Sequence, residues 1–594
     1  MTAPFYKNTN FLSIAVWLAL SALMLTCFRA TELLDTDSAM RLAGVRDLLN
    51  GQSWFDTTQW RMNTPYGLPM HWSRLIDGGI AALVLLFRPF MGDAAAQSVA
   101  INLWPLLPLL AALLALSRIA AKIGGWLAGL VVLVLTSLCF KVLSEFAPGS
   151  IDHHNVQFAL TLWTIAFLCD AQDNARSGIA AALTSAVSLA IGLETLPYVA
   201  TAIAIAAMLW IRQGETLTTF TRNYGLTIAA AALALLFGAT AARYRFAPAC
   251  DTYSLFYAIA LFAGGAGLAA ITFIPAFAHT QLRRALAIAA LAALTVTLAG
   301  AAAPICLAGP YAQMDPRLQD IFLNRIYEAS PAFTFARLAL SEFIAGYIYA
   351  LFGFAAAIFI VFTSPRDMRF APSILCIFAL AGLIVGTLEF RAVPFAMIAG
   401  LPAIAVFIVR VIISRMKSGL LAPFAALAAI LFLSDAAFAL AGGTLVEPNA
   451  HVVKRIAAYQ DQLGCNSAEG LAPLAHLPKG RVAAFVDQGP SILINTPDAA
   501  VAGPYHRDAS GILDTYRLFT GAPQDAASII KTRNIDYVMI CTAAPVWHWY
   551  QERGGKNALI ARIAQNRLPA WLSTVGQDKT GHIRVYRVVK SRLD

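Results

Sequence analysis

Residues 105–154 read "PLLPLLAALLALSRIAAKIGGWLAGLVVLVLTSLCFKVLSEFAPGSIDHH", and this stretch decides the fold. It belongs to two apolar runs, near 97–117 and 124–143. Each is long enough to cross a bilayer, which takes about 20 residues of helix. Arg118 and Lys122 separate them, and an aspartate and two histidines follow the second. Outward from here, similar runs fall near 11–29, 155–170, 178–193, 196–211, 224–242 and 254–276. Further runs fall near 285–307, 340–363, 372–389, 392–412 and 419–441. They amount to about thirteen spans at that length, the weakest boundary being "GLETLPY" between 178–193 and 196–211. The chain of 594 residues is 59% hydrophobic and 13% charged, with a mean hydropathy of +0.66. That excludes an ordinary soluble globular protein and indicates a polytopic membrane protein.

Orientation follows from where Lys and Arg collect. With Lys7 cytoplasmic, the inner loops carry Arg118 and Lys122, Arg176, Arg212 and Arg222, Arg283 and Arg284, Arg366 and Arg369, and Arg410, Arg415 and Lys417. The opposite loops are poorer, with Arg243 and Arg245 the exceptions. An odd number of spans then places the C-terminus outside. The net charge of +10 is an orientation signal and does not indicate nucleic-acid binding. The first apolar run lacks a small-x-small cleavage site and is read as an uncleaved span.

Residues 1–444 are therefore expected to form the membrane domain, with outer loops at about 30–95, 144–154 and 309–336. From 445 to 594 the composition becomes that of a soluble α/β domain. There "RVAAFV", "SILIN", "VAGPY", "YVMIC" and "HIRVYRVV" read as strands, and helical patterns lie near 449–463, 509–519, 523–532 and 557–566. Cys465 and Cys541 both fall in that outer domain, where a disulfide is chemically allowed; Cys250 and Cys306 are a second candidate pair. Cys27, Cys139, Cys169 and Cys376 read as small hydrophobes.

Polar residues converge on the outer side. Asp35 and Asp37 follow the first span, Asp152, His153 and His154 lie in the second loop, and Glu328 lies in the third. Carboxylates with one imidazole suit a divalent ion such as Mg or Mn. Each has a plainer reading. Asp152 could be a helix N-cap, Asp35 and Asp37 interfacial loop acids, and Glu328 a solvated residue. The adjacent histidines are expected to point in different directions, so that at most one is a ligand. In "LEFRAVPFAM", Arg391 sits between two apolar runs beside Glu389. An intramembrane cation is a functional hypothesis by default. Arg suits bidentate phosphate binding, against the alternatives of snorkelling or pairing with a carboxylate. Glu194 is similar, with its role open.

Several of these stretches, taken in order, resemble a known family. "TDSAMRLAGVRDLLNG", "NTPYGLPMHWSRLIDGGIAAL", "PGSIDHHNVQF", "IYEASP" and "EFRAVPFAM" resemble the motifs of bacterial and archaeal oligosaccharyltransferase catalytic subunits. Those are metal-dependent, inverting glycosyltransferases of the GT-C fold. The resemblance implies that Asp37, Asp152 and His154 are metal ligands, with Asp35 as the fallback and His153 as their neighbour. It implies that Glu328 sits beside the metal and helps bind or activate the acceptor, and that Arg391 holds the phosphate of a polyprenyl-linked sugar donor. The family's sequon-reading "WWDYG" is missing. Its nearest counterpart is "FVDQG", which keeps Asp487 and Gly489. The acceptor is thus either a protein or a glycolipid or polysaccharide. Tyr505, His506 and Arg507 in "AGPYHRDASG" could face the site or form a solvated loop. The expected activity is sugar transfer at the outer face of a bacterial-type cytoplasmic membrane. A transporter or flippase for a lipid-linked substrate and a catalytically silent binding subunit are the alternatives; no internal repeat of the transporter kind is present.

Overall fold

The computed structural model describes residues 3–33, 35–415, 422–445 and 463–593. Among these, eight helices are long and apolar enough to cross a membrane, or up to ten if each of two bent pairs is one span. The apolar helices His154–Cys169, Ser177–Ile191 and Leu255–Ile271 are shorter. The apolar runs overlap these elements, except that 97–117 crosses the break between helices Arg74–Leu103 and Leu106–Gly124, and "GLETLPY" does separate two helices, Ser177–Ile191 and Leu196–Gln213. This is a multi-pass helical membrane protein with a C-terminal α/β unit.

Small residues set how closely the helices approach, as expected where no hydrophobic effect drives helix against helix. In helix Val393–Phe407 every residue before Phe407 is buried. A Cβ added at Gly353 would lie 2.7 Å from the Cα of Gly400, and one at Gly382 would lie 2.7 Å from the Cα of Ala396. The helix that follows Arg391 is thereby held at the centre of the bundle. Loops expected on one side of the membrane do lie together: Arg410 donates to Ile123 O at 2.9 Å, and Arg284 to Ile211 O at 2.9 Å. Arg118 and Lys122 both pair with Asp170.

The first outer loop is more structured than its composition suggests. It holds helix Thr36–Leu49 and an antiparallel pair, β1 (Thr58–Gln59) with β2 (Leu68–Pro69). The expected loop end near 95 is corrected, because helix Arg74–Leu103 begins inside it. Only Gly92, at φ 78°, interrupts that helix.

The C-terminal unit is built on five described strands: β3 (Arg481–Ala483), β4 (Ala499–Ala500), β5 (Tyr537–Cys541), β6 (Leu572–Gln577) and β7 (Ile583–Val588). Their order is β4-β3-β5-β7-β6, parallel across β4, β3 and β5 and antiparallel across β5, β7 and β6. Three strand expectations change. "SILIN" lies in helix Gly489–Asn495, "VAGPY" is mostly loop after β4, and β6 was not anticipated. Helices Ala509–Thr520, Pro523–Arg533 and Leu559–Ala564 match the helical patterns; the pattern at 449–463 lies almost wholly outside the described residues. Both candidate cysteine pairs are bonded, Cys250–Cys306 and Cys465–Cys541.

The two units share backbone hydrogen bonds. Met62 bridges in parallel to Ala500, with Thr64 N donating to Ala500 O at 3.1 Å and Ala500 N to Arg61 O at 2.8 Å. The first outer loop thus covers the exposed edge of β4, where unpaired N–H and C=O groups would invite misplaced pairing. Arg61 and Arg46 cap the last carbonyls of helix Gly489–Asn495, reaching Leu493 O at 2.6 Å and Ile494 O at 2.7 Å. Cations there complement the negative end of the helix dipole.

Candidate active site

The acidic end of the first loop is shaped by a helix start. Asp35 is the N-cap of helix Thr36–Leu49, its Oδ2 accepting from Ser38 N at 2.8 Å. That bond gives Asp35 a structural task, whereas Asp37 in the first turn turns toward the second loop.

The second loop enters through Gly149, at φ +88°, where a Cβ would lie 2.7 Å from that of Ala30. Asp152, buried beyond it, organises the cluster. Its Oδ1 lies 2.5 Å from His153 Nδ1 and 3.6 Å from Arg41 Nη2, and its Oδ2 lies 3.3 Å from His154 Nε2. The expectation that the adjacent histidines diverge is corrected: their ring centres are 4.5 Å apart with planes tilted by 34°. One ligand atom from each of Asp152, His153 and His154 lies within 4.8 Å of the others. His154 opens the helix and His153 precedes it, so Asp152 is not the N-cap.

Glu194 joins from the break between Ser177–Ile191 and Leu196–Gln213. Its Oε2 is 3.5 Å from His153 Nε2 and accepts from Gln157 Nε2 at 3.3 Å. Gly192 makes room for it, since a Cβ there would sit 2.3 Å from Glu194 Oε2. Glu328, exposed in the turn Tyr327–Ala329, acts on Asp37 through its charge.

Electrostatics separates these acids. Burial works to raise the Asp152 carboxyl, but the imidazoles of His153 and His154 and the Arg41 guanidinium outweigh it and hold it well below the usual range. Asp37 goes the other way. Removal from water, and then the carboxylates Asp152, Asp35 and Glu328, hold it well above the usual range. Burial opposes charge on His153, yet Asp152 and Glu194 push it up to about 10.

A divalent ion fits this set. Carboxylate oxygens with imidazole nitrogen are borderline donors. Asp37 faces the carboxylates of Asp152, Asp35 and Glu328 with His153 opposing them, and buried His153 Nε2 has only Glu194 Oε2, at 3.5 Å, beside it. Asp152 and His154 could ligate, with Asp37, His153 and Glu194 close by. Asp37 is not one of the three groups in closest mutual reach.

Arg391 and the third loop are pinned to each other. Phe390 N donates to Ser330 O at 2.9 Å, and its ring stacks on Phe335 with centres 3.8 Å apart. Arg391 Nη2 lies 2.8 Å from Glu389 Oε2 and donates to Tyr311 OH at 2.9 Å. The guanidinium is partly exposed.

A wall of two aromatic rings bounds the cluster. Trp72 lies under Arg41, with 4.3 Å from guanidinium carbon to ring centre, and 6.0 Å from the His153 ring. Tyr505, from the C-terminal unit, donates to Thr36 O at 3.2 Å. Of the "PYHRD" residues, Tyr505 therefore faces the cluster. His506 and Arg507 hold Asp251, and the His506 ring meets Tyr311 edge-on, so the solvated-loop alternative is corrected. Asp487 lies apart from the metal-type cluster. Burial raises its carboxyl against the lowering effect of Arg325, a third-loop residue. Beside it, Val486 joins Ile321 and Phe322 of that loop at the edge of an apolar cluster of Leu318, Ala502, Ile512 and Leu513.

Sequence reasoning missed Arg41, Trp72 and Asp77. Arg41 Nη1 donates to Asp77 Oδ1 at 3.0 Å, a contact across 36 residues that no local pattern announces.

No family model matches the chain, and no curated protein matches it. Solved structures do. The apo oligosaccharyltransferase of Archaeoglobus fulgidus superposes with a TM-score of 0.66 at 14% identity, over 91% of this chain and 70% of that one. The archaeal oligosaccharyltransferase AglB of the same organism, in complex with an inhibitory peptide and a dolichol-phosphate, gives 0.63 at 15% identity, over 98% and 75%. A complex of the Archaeoglobus fulgidus enzyme with Zn and sulfate gives 0.60 at 14% identity, over 96% and 73%. The chain has the GT-C, oligosaccharyltransferase-like fold.

Proposed function

We propose that this protein is an inverting membrane glycosyltransferase that moves a sugar or oligosaccharide from a polyprenyl-phosphate-linked donor to an acceptor at the outer face of the cytoplasmic membrane. The observation that carries the reading is the convergence of Asp37, Asp152, His153, His154 and Glu194 beside the loop that bears Glu328 and is pinned to Arg391. The similar fold binds a dolichol-phosphate in one solved complex and Zn and sulfate in another, which supports a lipid phosphate and a metal here.

In this reading Asp37, Asp152 and His154 hold Mn or Mg, with His153 and Glu194 as close neighbours. Such an ion, when bound, supplies Lewis-acid stabilisation of charge on the leaving phosphate. Arg391 binds the donor phosphate as a charge-assisted fork, with Glu389 and Tyr311 fixing the guanidinium. Glu328 orients the acceptor. Arg41, buried between Asp77 and Asp152, fixes the Asp152 carboxylate. The wall of Trp72 and Tyr505 limits water beside the reacting groups. The two disulfides fit an oxidising compartment and thus an extracytoplasmic C-terminal unit.

The replacement of "WWDYG" by "FVDQG" favours a glycolipid or polysaccharide acceptor over an Asn-X-Ser/Thr peptide, because the aromatic residues that read the sequon are missing. The test is donor turnover by the purified full-length protein in vesicles, followed as release of labelled sugar from a polyprenyl-phosphate donor with Mn or Mg present. Turnover lost in Asp152→Asn supports the reading. Failure of the folded wild type to bind polyprenyl phosphate or turn over any such donor sinks it.

A further inference from the structure

Beside Trp72 and Tyr505 lies a second cluster. His71, Asp251 and His506 each bring a ligand atom to within 4.8 Å of the others. His71 comes from the first outer loop, Asp251 from the loop after helix Glu215–Gly238, and His506 from the C-terminal unit. Trp72 and Tyr505 border the Asp152 cluster, whereas their chain neighbours His71 and His506 pack on each other and His506 meets the Tyr311 ring edge-on. We propose that His71, Asp251 and His506 hold a divalent transition-metal ion at the seam between the two units, separate from the Asp152 cluster.

Two imidazoles and one carboxylate form a donor set suited to zinc, cobalt or nickel, whereas Mg favours oxygen ligands and keeps its waters. His506 Nε2 is already 2.6 Å from Asp251 Oδ2, and the proton between them is what a bound cation would replace. Arg507 grips the same carboxylate, with Nη2 to Oδ1 and Nε to Oδ2 both at 2.5 Å. Such an outer partner orients ligating carboxylates. The ring centres of His71 and His506 are 5.0 Å apart, and His71 Nδ1 is buried with no hydrogen-bond partner. Asp251 and His506 line a cleft of about 840 Å³ shared with Tyr244, Gln313 and Arg317, which gives an ion a way in. Three protein ligands leave a fourth tetrahedral position for water.

The test uses the full-length protein in detergent, stripped with chelator and titrated with Co²⁺ while its visible absorption is recorded. The expected result is a tetrahedral-type band from one Co²⁺, beyond any Co²⁺ taken up at the Asp152 cluster, that Zn²⁺ displaces and excess Mg²⁺ does not. The band should persist in Asp152→Ala and vanish in His71→Ala and His506→Ala. His71→Gln and His506→Gln keep most of the side-chain volume and hydrogen-bonding capacity; they should also lose the band while eluting like wild type on gel filtration. A band that survives in the two Gln variants, a band lost in folded Asp152→Ala, or no Co²⁺ uptake by folded wild type would each overturn the proposal.

Discussion

Trp72 and Tyr505 meet edge to face, their ring centres 5.5 Å apart and their planes at 87°. One ring belongs to the first outer loop and the other to the C-terminal unit, so the seam between the units is also a wall of the candidate site. Tyr505 is 3% exposed. Tyr505→Ala is expected to cost about 3–5 kcal/mol of stability through the cavity it leaves, and to lower donor turnover. Tyr505→Phe keeps the ring and loses the bond to Thr36 O, so it should cost about 1 kcal/mol. Thermal unfolding and sugar release measured on both variants separate packing from hydrogen bonding.

Asp152→Asn keeps the shape of the side chain and removes its charge. Turnover should fall by about 10²–10³-fold, as for loss of one electrostatic contributor, while the variant still inserts and elutes as wild type. Near-normal turnover in a folded Asp152→Asn protein would remove Asp152 from the site.

Arg391→Ala should weaken binding of polyprenyl phosphate by about 10- to 100-fold, the equivalent of one charged hydrogen bond. Arg391→Lys should recover only part of this, because an ammonium cannot reproduce the fork held by Glu389 and Tyr311. Binding isotherms of the three proteins decide the point; equal affinities would assign Arg391 to a structural pair with Glu389.

Gly192→Ala tests the seat of Glu194. The added methyl would need the space of Glu194 Oε2, 2.3 Å away, so Glu194 must leave His153. Mn²⁺ affinity should drop several-fold. Gly443→Ala, where a Cβ meets nothing within 4 Å, should leave it unchanged.

Asp508 gives a dependence on pH. Its carboxyl is fully buried, and removal from water holds it well above its ordinary value of 3.8, against bonds from Gly503 N and Gly511 N and the charge of Arg533. The folded protein therefore binds this proton more tightly than the unfolded chain does. The stability Asp508 contributes is full below pH 3.8 and declines as pH rises above it. Denaturant unfolding of Asp508→Asn against wild type should show the difference moving in favour of the variant as pH rises from 4 toward 7. A pH-independent difference would refute the assignment.

The membrane architecture was legible because a helix in lipid must be apolar over its length, although the run at 97–117 crosses the break between helices Arg74–Leu103 and Leu106–Gly124. Asp152, His154 and Arg391 were legible because ionisable groups among apolar runs stand out. What was not legible depended on contacts distant in sequence. Arg41 looked like one more charge on an amphipathic helix until folding placed it between Asp77 and Asp152. Asp35 and Asp37 are two residues apart and of one type; only the N-cap bond to Ser38 separates their tasks. "SILIN" misled because a short apolar run fits strand and buried helix alike. His153 was set aside on the assumption that neighbours diverge, an assumption that fails where a helix begins between them.

The pairing of Met62 with Ala500 also limits how the molecule can be taken apart. A segment near the start of the chain finishes a sheet whose other strands are made more than four hundred residues later. The C-terminal unit therefore docks onto a segment that is synthesised well before it. Transplanting the C-terminal unit into another protein, or exchanging it for a different one, requires that residues 57–70 travel with it.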